Sequence, residues 1–329
     1  MKGLLFFSFA TSIPNNNDAL FNAWCSDVGI ECPGAEVRTT PDSVAGRGVF
    51  CTKDLSCGDE VISIPYYAAL TQENGAGYFP SLARELSSAR IQKSGQRSLL
   101  KRIWNRIFRG RSTQREELLA ADAFWQAELT AYALAARQGD HPWSTWISQW
   151  KREDPFQDLV DASVWRHDVD AIEKAALDFQ KMAPDISEHR VGAAIGIRLQ
   201  ELDEYSERYE KEKAPTSESM YATLISRAVG LSDNVTAILP MHDMINHSPD
   251  PNVALYFGED GAFKLIATED IPKDTEIFLT YMDIVDCEGK WDEDKATWLL
   301  VQWGIPSSPL KYSQVEDQAS KEEYKLGLL

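Results

Sequence analysis

The stretch that most restricts this chain is Asn246-His247-Ser248-Pro249-Asp250-Pro251-Asn252, set within LPMHDMINHSPDPNVALYF. Its two prolines remove backbone donors and push the residues before them into extended conformation, so no helix runs through it. Yet it follows a largely apolar run, Ile238 to Ile245, that belongs in a core. A buried segment that ends in Asn, His and Ser carries polar groups to the edge of that core. Such groups need partners, from a turn or from a ligand.

The rest of the chain alternates in texture. Leu20, Phe21, Trp24 and Val28 stand at helical spacing, with Asp18 as the expected N-cap and Gly29 as the expected stop. Residues 37–71 are β-branched and aromatic, broken by Gly and Pro, which reads as short strands and turns. Gly46-Arg47-Gly48 lies between two such pieces, and Leu55 to Glu60 forms a turn before a strand at Val61–Ile64. From about residue 80 to 220 the pattern is helical. Helices are expected over Glu116–Arg137, Asp168–Met182 and Val191–Lys211, and Trp143, Trp146 and Trp150 also fall at helix-like spacing. Strands return at Val253–Phe257, Ala262–Ala267 and Glu276–Tyr281, with a hairpin turn at Gly258–Gly261. A last helix, Asp294–Trp303, stops at Gly304, and the tail beyond it reads as frayed or as a short helix. The fold class is α+β, a β-rich protein interrupted by a helical block.

Charge and cysteine usage narrow the partners. Lys and Arg total 33 against 51 Asp and Glu, a net charge of -18. Such a surface repels phosphate backbones and favours a cationic partner. The five cysteines, Cys25, Cys32, Cys51, Cys57 and Cys287, include no CxxC pair, so no zinc cluster is expected and reduced thiols in an intracellular compartment are. His141, His242 and Asp243 lack the spacing of a metal or hydrolase set. No apolar run approaches the ~20 residues that cross a bilayer. The opening MKGLLFFSFATSIP is a weak signal or organelle-entry segment, or else a first buried element. Residues 90–115 are basic and interleaved with apolar side chains. They read as a packed helix with solvated charges, and secondarily as a face for a partner or an anionic membrane.

Three separated stretches resemble one family. Ala45-Gly46-Arg47-Gly48-Val49-Phe50, followed by Asp54-Leu55, Gly58 and Val61-Ile62-Ser63-Ile64-Pro65, resembles the opening of a SET domain. Asn246-His247-Ser248 with Pro251-Asn252 is similar to its NHSxxPN signature, and Glu276 to Tyr281 to its closing strand. The helical interruption and Ser226-Arg227 resemble the branch of the plant Rubisco large-subunit lysine methyltransferase. That resemblance implies a SET fold (β-clip-like short strands with a knot-like crossing) interrupted by a large all-helical insert. It implies five parts: a helical segment 1–34, SET halves at 35–75 and 220–285, the insert at 76–219, and a short helix and tail at 286–329. The family's large C-terminal substrate-binding domain is not expected here, which puts substrate docking in question.

The activity implied is methyl transfer from S-adenosylmethionine (SAM) to a lysine of a protein, expected to be non-histone. Protein-histidine transfer, or a SET-fold interaction module without turnover, are the alternatives. By the same resemblance Tyr281 is the catalytic residue, orienting amine and methyl. Gly46, Arg47, Gly48, Arg227, Asn246, His247 and Tyr281 are the cofactor set. Tyr221, Tyr256, Phe257 and Trp298 are candidates for the substrate channel, or plain core. No metal is implied. The expected protein is a monomer with a protein substrate, no nucleic-acid or membrane partner, and a cytoplasmic or nuclear location, with an organelle as the alternative.

Overall fold

A computed structural model describes residues 16–93, 113–150, 177–196, 216–232, 235–285 and 290–309. The expectations for the first fifteen residues, most of the basic segment, Cys287, the tail and parts of the helices at 168–182 and 191–211 lie outside the described residues. The chain divides into two compact units: residues 1–69 with 239–280, and residues 70–238 with 281–329.

The first unit is built on two sheets. Its helix α1 (Asn16–Asp27) buries Phe21, Trp24 and Cys25, one face at the three-and-four spacing of a helix. Leu20, expected on that face, is exposed. Asp18 is not the cap either. It lies inside the first turn with its carboxylate buried, where Oδ2 accepts from the Thr39 amide at 2.7 Å and Oδ1 pairs with Arg47 Nε at 3.0 Å. These long-range partners rotate the buried stripe to positions 18, 21 and 25 and leave Leu20 outside it.

Strands β1 (Ala35–Thr39) and β2 (Arg47–Cys51) pair antiparallel, and Glu276 and Ile277 of a late strand then lie against Phe50 and Val49. A second sheet takes β3 (Glu60–Pro65) against strands from the hairpin at Gly258–Gly261. In the later hairpin strand Phe263, Leu265 and Ala267 are buried while Lys264 sits between Glu60 and Asp260, the alternation of a half-buried strand.

The second unit holds a small sheet and the described helices of the insert. Strand β4 (Leu70–Thr71) pairs with Ala237 and Ile238, and its Thr71 hydroxyl caps α2 (Gln72–Tyr78) by accepting from Asn74 N at 3.1 Å. Helix α3 (Pro80–Lys93) follows. Helix α4 (Thr113–Gln138) buries Leu129, Tyr132, Ala133 and Ala136. Trp143, Trp146 and Trp150 are all buried, but only one turn of helix, α5 (Ser144–Ser148), runs between them. Helix α6 (Thr216–Ile225) precedes β5 (Val229–Ser232) and β6 (Val235–Ile238), which complete the order β4-β6-β5.

In the first unit β7 is only Asn246–His247, followed by β8 (Val253–Phe257), β9 (Ala262–Ala267) and β10 (Glu276–Leu279). Sheet one runs β1-β2-β10-β7 and sheet two β3-β9-β8. Strand β10 ends two residues before Tyr281, which lies in a bend rather than in the strand. In the second unit α7 (Glu293–Trp303) is capped by Asp292, whose side chain accepts from Asp294 N and Lys295 N, and is closed by Gly304 at φ 68°. No helix among the described residues is long and apolar enough to cross a membrane.

Candidate functional site

The polar turn and the late strand meet through a parallel pairing of two residues. Asn246 lies beside Phe278 and His247 beside Leu279, and Ser248 N donates to Leu279 O at 2.9 Å. Asn252, the last residue of the motif, fastens the exit. Its Nδ2 donates to Glu276 O at 3.0 Å and its Oδ1 accepts from Phe278 N at 2.8 Å, so a buried side chain pairs with the backbone of β10. Just upstream, Met241 has φ 68° and ψ -49°, a conformation that costs a non-glycine residue ~1–3 kcal/mol. Met241 is fully buried, and its packing holds that geometry at the entrance to the polar turn.

Asn246 is the hub. Its Nδ2 lies 2.6 Å from Glu276 Oε1, 2.9 Å from Arg47 O and 3.1 Å from Ser43 Oγ. Glu276 is buried, and it also accepts from Ser43 Oγ at 2.9 Å and from Val44 N at 3.3 Å. Gly48 leaves room for this cluster: a Cβ there would stand 2.1 Å from Glu276 Oε1 and 3.0 Å from Asn246 Nδ2. Gly46 differs. Its φ of +73° suits glycine, and a Cβ there meets nothing within 4 Å. The Arg47 side chain turns toward α1, pairing with Asp18 and lying over the Phe21 ring at 5.9 Å, while its carbonyl faces Asn246.

Both histidines of this segment are held neutral near pH 7. Burial pushes the His247 ring down to about 4, against an opposing hydrogen bond with the Leu279 backbone, and burial does the same to His242. Tyr256 and Phe257 lie exposed on β8, an edge strand, with the Phe257 ring 5.0 Å from Phe263.

The remaining candidates belong to the second unit. The half-buried Tyr281 ring lies 5.5 Å from the Trp303 ring. Trp303 Nε1 donates to Ser226 O at 2.6 Å, and Gln302 Nε2 to Ile225 O at 2.8 Å. Tyr281, Trp303 and the turn that carries Arg227 are thereby gathered in one place. Tyr221 is buried, its hydroxyl donating to Gln126 Oε1 of α4 at 2.7 Å. Trp298 is half-buried on α7. Among the described residues no group of three His, Cys, Asp or Glu side chains is arranged to hold a metal ion.

The residues missed by sequence reasoning are Glu276, Ser43 and Trp303. Glu276 opens a strand whose next three residues, Ile277, Phe278 and Leu279, are all apolar, so no alternation marks which way the Glu faces. Only its contact with Gly48 and Asn246 reveals it. For Trp303 the one signal is its place at the end of a helix whose neighbours Leu299 and Leu300 are apolar.

Comparison with known proteins bears on this arrangement. The SET domain family profile matches residues 46–282, more than half of the chain. No curated protein matches it by sequence. Among solved structures, Rubisco LSMT bound to sinefungin and monomethyllysine is 12% identical, with a TM-score of 0.51 over 88% of this chain and 56% of that one. The SET domain of LSMT bound to lysine and AdoHcy is 12% identical, with a TM-score of 0.53 over 88% and 57%. The same domain bound to MeLysine and AdoHcy is 14% identical, with a TM-score of 0.50 over 89% and 57%. The present chain therefore spans little more than half the length of these structures, and at such identity the likeness speaks to fold. The profile match, the LSMT-like fold and the Asn246-His247 strand laid against β10 lead to one conclusion: the chain belongs to the SET domain family.

Proposed function

We propose that this protein is a SAM-dependent methyltransferase that modifies the side-chain amine of a lysine in a non-histone protein. One observation carries the reading: the register that sets Asn246 and His247 beside Phe278 and Leu279, immediately ahead of Tyr281. Family membership supports it, as do neighbours of the same fold that hold lysine together with AdoHcy.

The residues of the first unit fit a cofactor with both donors and acceptors. The Asn246 oxygen accepts no hydrogen bond among the described residues, and the Gly46 turn is open on the side where a Cβ would point. SAM supplies an activated methyl on a sulfonium, whose sulfur becomes neutral as the C–S bond breaks and the N–C bond forms. The protein's part is to bind, orient and desolvate. A free lysine amine has a pKa near ~10.4, so it must lose its proton to water or a base before its lone pair can attack. In this reading Tyr281 orients the amine through its hydroxyl, and Arg227 pairs with the cofactor carboxylate. Gly46, Arg47 and Gly48 offer backbone, and Asn246 and His247 offer side chain and backbone to the cofactor. Tyr221, Tyr256, Phe257 and Trp298 are the proposed substrate-channel residues. The two SET parts bracket a helical insert, and the protein acts as an intracellular monomer on a protein substrate, with neither nucleic acid nor membrane as partner.

The test is label transfer. Purified protein incubated with methyl-labelled SAM and a cell lysate is expected to label protein bands, and acid hydrolysis to release methyllysine. Tyr281→Phe is expected to lower labelling at least tenfold, and Asn246→Ala to abolish it. Release of methylhistidine instead would move the activity to a histidine target. SAM binding without transfer to any protein would reduce the chain to a binding module.

A further inference from the structure

The Asn246 carboxamide has one orientation, and the chemistry of its neighbours fixes it. Three groups crowd one terminal atom: the Arg47 carbonyl at 2.9 Å, the Glu276 carboxylate at 2.6 Å and the Ser43 hydroxyl at 3.1 Å. A carbonyl and a carboxylate only accept, so the atom facing them is the nitrogen. The Ser43 hydroxyl donates its hydrogen to Glu276 Oε1 at 2.9 Å, which leaves its lone pairs for Asn246. Glu276 is itself held, since its second oxygen accepts from Val44 N at 3.3 Å and its first lies against Gly48, where no Cβ intrudes. Turning the carboxamide over would set oxygen against oxygen at 2.6 Å. The Asn246 oxygen accordingly faces away from the cluster, and it accepts nothing among the described residues.

Resting on the SAM-dependent reading above, we propose that Glu276 is a positioning residue of the cofactor site. Its buried carboxylate locks Asn246 with nitrogen inward and oxygen outward, and so presents a preset acceptor to an N–H donor of the cofactor. Ser43 is the second member of the lock, and Gly48 is the glycine that admits it. Without the carboxylate only the Arg47 carbonyl and the Ser43 hydroxyl hold the nitrogen inward, so the carboxamide is held less firmly and binding must restore its orientation.

The experiment titrates SAM calorimetrically into native protein, Glu276→Gln and Glu276→Leu, with fold checked by circular dichroism. Glutamine keeps an oxygen for Asn246 and is expected to hold affinity within about threefold, whereas leucine loses about ten- to hundredfold. A spectroscopic readout separates positioning from mere stability. In the ligand-free protein the Asn246 side-chain NH2 protons exchange slowly in native and Gln proteins and fast in Leu. Should the Leu variant not fold, Ser43→Ala carries the test, with faster exchange at the Asn246 amide and affinity lowered about threefold. A folded Leu or Ala variant with native SAM affinity and native amide exchange overturns the role of Glu276. So does a Gln variant as impaired as Leu. If native protein binds no SAM, the cofactor reading falls and this inference with it. If native protein binds and the variants match it, only this inference falls.

Discussion

Gly46 and Gly48 stand two residues apart and serve different ends. At Gly46 the backbone angle decides, and at Gly48 the Glu276 carboxylate does. Gly48→Ala forces a methyl into a packed polar cluster and is expected to cost ~1–3 kcal/mol, read as a lower urea midpoint with unchanged slope. Equal stability of native and Ala proteins would mean that the cluster is looser than described. The GxG pattern was legible in the sequence, but not its reason, because the group that requires Gly48 lies in a strand more than two hundred residues away. His242 gives a second residue-scale prediction. Its folded pKa is pushed down to about 4, whereas an unfolded histidine titrates near ~6.5. Between those values the unfolded chain binds a proton that the folded one does not, so acidification removes stability. His242→Gln lacks that proton uptake. From pH 7 to about 4.5 the native thermal midpoint is expected to fall relative to the variant's. A constant gap across that range would refute the buried, neutral ring.

Among the elements, those with local signals were legible. The β8–β9 hairpin, helix α4 and the end of α7 at Gly304 all lie where periodicity and turn residues put them. Elements decided by distant partners were not. The two-residue strands β4 and β7 carry no periodicity, and they exist only through pairing with β6 and β10. Helix α1 was legible as a helix, but its buried face was set by Thr39 and Arg47 reaching Asp18. The clamp between the motif and β10 is likewise tertiary. Asn252→Ala removes both of its bonds to the β10 backbone and is expected to cost ~1–3 kcal/mol, with faster hydrogen exchange at Phe278. Unchanged exchange there would show that the parallel pairing of β7 and β10 holds without the clamp. Asp292→Ala removes the cap of α7 and is expected to cost ~1 kcal/mol.

For the whole molecule, net charge bears on function more directly than on fold. A chain of charge -18 attracts basic proteins over distances that salt screens. Transfer to a basic protein is expected to slow severalfold, through KM, when ionic strength rises from about 0.05 to about 0.5 M. A rate indifferent to salt would mean that the acidic surface plays no part in capture. The family was legible in the sequence because three short motifs, at 45–65, 246–252 and 276–281, keep their order across an interruption of more than a hundred residues. The polar lock behind Asn246 was not, since its parts come from three separate stretches of chain. The central claim is that the Gly46–Gly48 turn and the Asn246-His247 strand form the cofactor site. Hydrogen exchange read by mass spectrometry, with and without saturating S-adenosylhomocysteine, tests it most directly. Slowed exchange concentrated in peptides covering 43–50 and 244–250 is the predicted result. Saturated binding that leaves both peptides unchanged would contradict it.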